Sequence, residues 1–388
     1  MSGESQRSCV PGMIMRGGSS RGPFFRAEDL PTDRSDRDRV LADIMGSPHP
    51  LQVDGVGGGH PLTSKAGIVS ASEETGIDLD FTFAQLHPDS ASVRTTANCG
   101  NMLSAVVPFA IETGMLAAHS DWTSAVVRSV NTGLLSRITV HTPESVLGGA
   151  RYVAYDGDVG IDGVPGTGSG IDIRFVDTAG SVAATLIPTG RMIDEIALES
   201  GQTVEATLID NGQPLVLLRA SDLARTGYET VAELEQDDEL KTVLEEIRLK
   251  AGELMGLGDV TEDSYPKMTL VAAPAGEAAI STRSFIPLRV HESIGVLAAL
   301  TVATAVRLSG TIAADVAAPE ESTPEGGRLR TLTIEHPSGG IDITLEVDPD
   351  GEVTSAGITR TARLLMSGEF HLRNLADVRT EEERKAQP

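Results

Sequence analysis

The sequence alternates short apolar runs with glycine-rich polar turns along most of its length. Short apolar or alternating runs bounded by Gly, Pro, Asn and Asp predict β-strands. The predicted strands are 10–15, 66–70, 77–86, 126–133, 138–141, 151–155, 171–176, 206–218 with a turn in its middle, 268–272 and 281–286. Apolar residues at helical spacing predict α-helices over 27–45, 103–111, 231–255 and 296–306.

The same order of elements occurs twice along the chain. In each half, strands lead to a polar turn, and the turn leads into an apolar helix, at 103–111 and at 296–306. A length of 388 residues agrees with two domains of about 190 residues each. We therefore predict two similar halves with the functional site between them. The predicted domains are 1–184 and 185–388, and the last stretch of about 30 residues is free to return to the first domain.

Composition and charge narrow the class of protein. Hydrophobic residues make up 40% of the chain, and no apolar run approaches the length of a membrane span. The N-terminus lacks a basic segment followed by an apolar core, so a cytoplasmic protein is predicted. The net charge of −25 argues against binding to nucleic acid or to an anionic membrane surface. An anionic ligand would need a locally positive site, which gives weight to Arg and Lys inside glycine-rich motifs.

The segment from Arg16 to Gly22 combines glycines, hydroxyls and two arginines in seven positions. Such a loop brings its backbone close to an anion, which the guanidinium groups can bind. A glycine hairpin with solvated arginines explains the pattern equally well.

A second loop, 54–65, has four glycines in five positions and ends at Lys65. It lacks the Gly-Lys-Ser/Thr order of a phosphate loop, and a strand follows where that motif needs a helix, so nucleotide binding is rejected. A lysine that is partly desolvated behind two hydroxyls can act as a base.

Cys99 stands between Asn98 and Gly100 at the predicted start of a helix. Unpaired backbone N–H groups and the helix dipole make such a cysteine reactive and favour a bound carboxylate. Taken alone, the motif fits a buried, unreactive cysteine better, and the neighbouring motifs reverse that preference. The other cysteine, Cys9, is distant in sequence, so no disulfide is predicted.

Several ordered motifs together resemble the PrpF-type isomerase family. They are Arg16-Gly17-Gly18-Ser19-Ser20, Gly59-His60-Pro61-Leu62-Thr63-Ser64-Lys65, Asn98-Cys99-Gly100-Asn101, Ile161-Asp162-Gly163-Val164-Pro165-Gly166, Glu335-His336-Pro337-Ser338-Gly339 and Arg360-Thr361-Ala362-Arg363. The resemblance implies an α+β, diaminopimelate-epimerase-like fold: two pseudo-twofold domains, each a β-sheet wrapped round a central helix, with the active site in the cleft between them. The stretches 210–212, 226–229, 284–287 and 291–297 resemble the 4-oxalomesaconate tautomerase/isomerase branch more than the 2-methylaconitate branch.

The resemblance also implies roles for individual residues. Lys65 and Cys99 stand where the family has its acid/base pair. The predicted substrate-binding residues are Arg16, Gly17, Gly18, Ser19, Ser20, Thr63, Ser64, Asn98, Gly100, Asn101, Arg283, His291, Ser293 and Ile294. For Arg283 and His291 a capping or surface role is an equal alternative. Ser19 and Arg21 replace the usual Thr and Lys, which leaves the substrate preference open.

The predicted activity is a cofactor-independent 1,3-proton transfer on 4-oxalomesaconate, either a keto-enol tautomerisation or an allylic double-bond shift, in the degradation of lignin- or gallate-type aromatic compounds. Such a reaction needs a proton removed from carbon at one end of the allylic system and delivered at the other, with stabilisation of the dienolate. Two titratable residues on opposite sides of the substrate suffice, and Lys65 and Cys99 are the expected pair. The eight histidines show no metal-ligand spacing, so neither a metal nor an organic cofactor is predicted. A two-cysteine racemase is disfavoured, because the turn at His291 carries no cysteine.

Two alternatives stay open: a 2-methylaconitate cis-trans isomerase of propionate catabolism, and a non-catalytic tricarboxylate-binding or accessory protein. The expected partner is a small unsaturated tricarboxylate. The oligomeric state, with a homodimer as one option, and the direction in which Lys65 or Cys99 acts as base are also open.

Overall fold

The computed structural model describes residues 9–95, 99–146, 148–319, 329–348 and 353–373. Contacts divide the chain into two units, which we call unit 1 (Met1–Ile173 with Arg360–Pro388) and unit 2 (Arg174–Thr359). The domain limits read from the sequence, 1–184 and 185–388, stay a prediction about folding units.

The strands, in chain order, are β1 Cys9–Gly17, β2 Ser20–Arg26, β3 Lys65–Ala71, β4 Leu79–His87, β5 Ser90–Arg94, β6 Trp122–Ser129, β7 Leu135–His141, β8 Val159–Gly160, β9 Thr167–Gly168, β10 Ile171–Val176, β11 Asp194–Ala197, β12 Thr203–Asp210, β13 Pro214–Arg219, β14 Lys267–Ala272, β15 Ile280–Ile286, β16 Arg289–Val290, β17 Leu329–His336, β18 Gly339–Val347, β19 Val353–Arg360 and β20 Ala362–His371. The helices are α1 Arg34–Met45, α2 Gly100–Leu103, α3 Val106–Glu112, α4 Val231–Glu235, α5 Asp238–Leu254, α6 Val296–Arg307 and α7 Ile312–Val316. Short 3₁₀ turns cover Ala27–Asp29, Pro61–Thr63 and Ala220–Leu223.

Most of the predicted elements are confirmed, and four are corrected. The helix predicted over 231–255 is interrupted at 236–237, between α4 and α5. The predicted strand 151–155 is wrong: apart from one bridge between Glu144 and Arg151, the segment forms no ladder. The helix predicted from residue 27 begins only at Arg34, because the side chain of Asp33 caps that turn by accepting from the backbone N–H of Asp36. The helix predicted at 103–111 is split into α2 and α3, where Ser104 Oγ donates to the carbonyl of Asn101.

Unit 1 starts with an antiparallel hairpin of β1 and β2, and the next strand, β3, is added parallel to β2. Strand β1 pairs antiparallel with β2 and with β20, and β2 runs parallel to β3. Strand β3 pairs antiparallel with β4, which pairs antiparallel with β5 and parallel with β6, and β6 pairs antiparallel with β7. Helix α3 packs against β3 and β7, so the sheet curls round it.

Unit 2 repeats that pairing order. Strand β12 pairs antiparallel with β13, which runs parallel to β14, and β14 pairs antiparallel with β15. Strand β15 pairs antiparallel with β16 and parallel with β17, and β17 pairs antiparallel with β18. Helix α6 packs against β12, β13, β17 and β18. The repeat predicted from the order of elements is therefore present in the strand pairing.

The central helices are held by apolar packing. In unit 1, Phe109 of α3 is fully buried, and its ring lies 5.7 Å from that of Phe24, which also stacks on Phe81 at 6.3 Å. Burying a Phe side chain stabilises a fold by about 1.5–3 kcal/mol. In unit 2, α6 is buried from Ala298 to Ala305, as its sequence predicts. Among the described residues, none of the helices has the length and apolarity needed to span a bilayer; the cytoplasmic location stays a prediction.

Candidate active site

Lys65 is the first residue of β3, and its side chain is almost completely buried. Its Nζ donates to Gln85 Oε1 at 3.1 Å and lies 3.6 Å from Cys99 Sγ. The ring of Phe83 faces the amine, with its centroid 5.1 Å from Nζ. The two residues predicted as the acid/base pair are therefore in contact. The expectation that they flank a substrate from opposite sides is wrong, because nothing fits between groups 3.6 Å apart.

Gln85, which no motif of the sequence indicates, fixes the direction in which the Lys65 side chain points. Its Nε2 donates to the carbonyls of Pro61, Ser64 and Leu86 at 3.0–3.1 Å. Because the amide nitrogen is held by three acceptors, Oε1 is left to face Lys65. A glutamine on an alternating strand gives no signal in the sequence. Its register opposite Lys65 appears only when β3 and β4 pair.

Cys99 lies at the N-cap of α2, where the pattern predicts it, and its carbonyl accepts from the backbone N–H of Leu103. Gly100, the first residue of that short helix, is half-buried. The other cysteine, Cys9, is exposed on β1 opposite His371. The thiol in contact with Lys65 is therefore the one at the helix start. Asn98, a predicted substrate ligand, lies outside the described residues.

The loop between β1 and β2 lies against α2. A Cβ on Gly17 would stand 2.5 Å from the carbonyl oxygen of Asn101, and one on Gly18 would stand 2.2 Å from Asn101 Oδ1. Gly18 also has a φ of +53°, in the left-handed region that glycine tolerates. Asn101 Nδ2 in turn donates to Ser19 Oγ at 2.9 Å. Glycine is thus needed at both positions, because the loop packs closely against α2. The bond between Asn101 and Ser19 joins the motif at 16–20 to the motif at 98–101.

One guanidinium nitrogen of Arg16 is engaged in hydrogen bonds within the protein. Its Nη1 donates to the carbonyl of Gly18 and to both oxygens of Thr361, at 2.9–3.0 Å. This nitrogen is therefore a structural donor, which the prediction of a pure substrate ligand did not include. Burial lowers the pKa of Arg16, and the positive charge of Arg363, its partner in the β1–β20 register, lowers it further. Two guanidinium groups side by side make this corner locally positive.

Ser20, opposite Gly17 in the β1–β2 register, offers a donor that no described residue uses. It is the first residue of β2, about 1% exposed, and its Oγ has no hydrogen-bond partner among the described residues. A buried hydroxyl without a partner marks a place where a ligand or water completes the bonding. Its role as a substrate-binding residue stays a prediction.

The two hydroxyls before Lys65 serve the loop itself. Ser64 is fully buried, and its Oγ donates to Gln52 Oε1 at 2.8 Å. Thr63 Oγ1 donates to the carbonyl of His60 at 3.2 Å. Ser64 as a substrate ligand is therefore corrected to a support for the loop, because its only proton is engaged in a buried bond. The glycine loop approaches Arg21, whose Nη2 would lie 3.2 Å from a Cβ on Gly58.

In unit 2, Arg283 lies on β15 and is 5% exposed. Its Nε donates to the carbonyl of Glu229 at 2.8 Å and its Nη1 to the carbonyl of Thr282 at 2.8 Å. The guanidinium carbon lies 5.6 Å from the ring centroid of Tyr228. Arg283 borders a cavity of about 370 Å³, which Tyr228, Glu229, Thr230, Val231, Glu292, Pro337 and Ser338 also line.

His291 and Ser293 form a turn ahead of α6. His291 Nδ1 accepts from the backbone N–H of Ser293 at 2.9 Å, and Ser293 Oγ lies 3.2 Å from His336 Nε2. The helix itself begins at Val296 with Gly295 as N-cap. Ser293, one of the predicted substrate-binding residues, therefore lies before the helix start, and its backbone amide is engaged by His291. Ile294 is buried.

The described residues contain no group of three or more His, Cys, Asp or Glu side chains arranged to hold a metal ion.

Comparison with known proteins gives a consistent result. A family model described as PrpF protein matches residues 7–373. The chain is 50% identical over 359 residues to a (4E)-oxalomesaconate Delta-isomerase of Novosphingobium sp. (strain KA1), with 92% of this chain and 96% of that protein covered. It is 44% identical over 359 residues to a 4-oxalomesaconate tautomerase of Pseudomonas putida, with 92% and 95% covered. The crystal structure of a methylitaconate-delta-isomerase matches with a TM-score of 0.84 at 31% identity, covering 97% of this chain and 98% of that one.

The fold and these matches define an isomerase of the α+β, diaminopimelate-epimerase-like class. The chain belongs to the PrpF family, as the ordered motifs of the sequence predict.

Proposed function

We propose that this protein isomerises 4-oxalomesaconate by a 1,3-proton transfer, with Lys65 and Cys99 as the acid/base pair. The observation that carries the proposal is the 3.6 Å contact between Lys65 Nζ and Cys99 Sγ, next to α2, against which the loop between β1 and β2 packs. The similarity to proteins named for this acid, at 44–50% identity, supports the choice of substrate.

The contact suggests how the pair returns to its starting state. The Lys65 amine removes a proton from carbon at one end of the allylic unit, and the Cys99 thiol delivers one at the other end. Lys65 is then an ammonium and Cys99 a thiolate. A proton passing from Nζ to Sγ across 3.6 Å restores both groups without help from solvent. In the reverse direction the two roles exchange.

The dienolate and the carboxylates need positive charge and donors. Arg16 and Arg363 supply charge next to the glycine loop, and Ser20 supplies a buried hydroxyl that has no described partner. Preorganised donors of this kind stabilise charge that develops during a reaction. Asn101 and Ser19, already bonded to each other, keep the loop fixed against α2.

The test is a comparison of substrates on one preparation. We expect kcat/KM for 4-oxalomesaconate to exceed that for 2-methylaconitate by about a hundredfold, since losing a well-made polar contact costs a few kcal/mol. Proton NMR in deuterated buffer should show one deuterium entering at the carbon that receives the proton. A preference for 2-methylaconitate would place the chain in the other branch. Inactivity on both acids would favour a tricarboxylate-binding protein.

Three predictions accompany this proposal: a role in the degradation of lignin- or gallate-type aromatics, a cytoplasmic location and a homodimer.

A further inference from the structure

Strand β4 carries two of the groups that contact the Lys65 amine. The ring of Phe83 faces Nζ, and Gln85 Oε1 accepts from it. Residues two apart on a strand project to the same face, so the placement of the amine depends on where this part of β4 lies. Phe83 is 3% exposed, and its main-chain groups therefore need partners inside the protein.

The pairing along one edge of β4 is interrupted at Phe83. Strand β3 pairs with the opposite edge from Leu79 to Gln85. On the edge in question, β6 pairs with β4 as far as Phe81, and β5 pairs with β4 from Gln85 onward. Phe83 lies between these two ladders, so its main chain needs a partner other than β5 or β6.

The side chain of Asn131 supplies that partner. Its Oδ1 accepts from the backbone N–H of Phe83 at 2.9 Å, and its Nδ2 donates to the Phe83 carbonyl at 2.8 Å. The same nitrogen donates to the carbonyl of Thr95 at 2.7 Å. One acceptor and two donors of the amide are thus matched to a donor and two acceptors, which fixes its orientation. The amide bonds to β4 as a neighbouring strand would.

Thr95 connects this amide to the segment that carries the thiol. It directly follows β5, which ends at Arg94, and it precedes Cys99 in the chain. One side chain therefore joins the strand that holds two partners of Lys65 to the segment that leads to Cys99. All of these residues belong to unit 1.

We propose that Asn131 is a positioning residue, which acts through Phe83 and Thr95 to hold Lys65 and Cys99 in contact. The inference rests on the proposed function for the reaction that this contact serves.

Steady-state kinetics with 4-oxalomesaconate provide the first test. A displacement of about 1 Å at a reacting group costs up to about a hundredfold, so Asn131→Ala should lower kcat about 10- to 100-fold. KM should change by less than about threefold, because no predicted substrate ligand is removed. Asn131→Asp keeps the size of the side chain and the acceptor for the Phe83 N–H, but it loses both donors. It should therefore lower kcat about as much as Asn131→Ala.

The matched control is Asp78→Ala. Asp78 directly precedes β4, and its Oδ2 accepts from the backbone N–H of Val126 on β6, so it joins the same two strands at the other end of their ladder. This variant should unfold at a lower denaturant concentration and keep the wild-type kcat. Wild-type kcat in folded Asn131→Ala or Asn131→Asp would overturn the inference, while turnover by the wild type would keep the proposed function.

Alkylation of Cys99 tests the geometry without turnover. The full-length wild type and Asn131→Ala are treated with iodoacetamide at neutral pH, and labelling of Cys99 and of the exposed Cys9 is read by mass spectrometry. A neighbouring ammonium group favours the reactive thiolate, so Asn131→Ala should lower the ratio of Cys99 to Cys9 labelling at least about threefold. Asp78→Ala should keep the wild-type ratio.

The two possible failures give different results. An unchanged or raised labelling ratio in Asn131→Ala would refute the role of Asn131, whatever the substrate is. A lowered ratio in a protein that turns over neither 4-oxalomesaconate nor 2-methylaconitate would keep that role and remove the proposed function alone.

Discussion

Gln52 connects the glycine loop to the strand that carries Lys65, and its removal tests whether this connection matters. The side chain is about 1% exposed, and the backbone has a φ of +48°, which is unusual for a residue with a side chain. Its Nε2 donates to Ser47 Oγ at 3.0 Å. Its Oε1 accepts from the backbone N–H of Gly59 at 2.9 Å and from Ser64 Oγ at 2.8 Å. Ser64 directly precedes Lys65.

In Gln52→Met these three partners lose their bonds inside a buried space. Each orphaned buried partner costs about 1–3 kcal/mol, and local relaxation relieves part of it, so a loss of about 3 kcal/mol in the free energy of unfolding is expected. The loop before Lys65 also loses its anchor. A displacement of about 1 Å at a reacting group costs up to about a hundredfold, so kcat should fall about 10- to 100-fold.

Denaturant titration measures the free energy of unfolding, and steady-state kinetics with 4-oxalomesaconate, the proposed substrate, measures kcat. Gln52→Glu keeps the acceptor oxygens and should retain more activity than Gln52→Met. Gln202→Met is the matched control, because Gln202 is exposed immediately before β12 of unit 2 and should change neither quantity. If Gln52→Met unfolds like the wild type and keeps its kcat, the connection has no functional role and the reasoning fails.

Three further outcomes are expected. Lys65→Met should keep its circular dichroism spectrum and lose all but about a hundredth of kcat, since general base catalysis contributes about 10²–10⁴-fold; more than a tenth remaining would rule out Lys65 as base. Gly18→Ala should raise KM about tenfold, whereas Gly190→Ala, with a φ of +71° and open space around it, serves as the control for backbone strain alone. The hydrogen bond from Lys241 lowers the pKa of Glu235 below its usual 4.5, despite partial burial. Its contribution to stability is therefore present above about pH 4.5 and lost as the pH falls through the lower folded value. In denaturant titrations, Glu235→Gln should be less stable than wild type at pH 6, by a margin that shrinks as the pH is lowered below 4.5.

The elements that follow from local pattern could be predicted from the sequence. Alternation and turn residues give most strands, and the all-round apolar segment gives α6. The position of Lys65 at a strand start and of Cys99 at a helix start also follow from their neighbours in the chain. The pattern fails at 151–155. Apolar residues are present there, but in the described part of the chain no strand pairs with them.

The partners of individual polar groups could not be predicted, because they depend on residues far apart in sequence. Ser64 has the sequence of a ligand-binding hydroxyl, yet its proton is taken by Gln52. Arg16 has the sequence of an anion ligand, yet one nitrogen is committed to Thr361, 345 positions away. The Ser293 amide is taken by His291, two residues earlier. The sequence shows that these polar groups exist. Only the folded structure shows which of them already have hydrogen-bond partners within the protein.

The charge of the site and the charge of the chain have opposite signs, and this contrast argues for an anionic ligand in unit 1. The chain carries a net charge of −25, and yet Arg16 and Arg363 face each other across the β1–β20 ladder. Like charges directly opposite in a sheet destabilise it, and part of the cost appears in the lowered pKa of Arg16. An anion bound between such groups offsets that repulsion. Exposed charges are screened by salt over about 10 Å at 0.1 M, so KM for a tricarboxylate should rise with ionic strength while kcat stays nearly constant. A KM independent of salt between about 0.02 and 0.3 M would mean that these two arginines serve the fold and not the substrate.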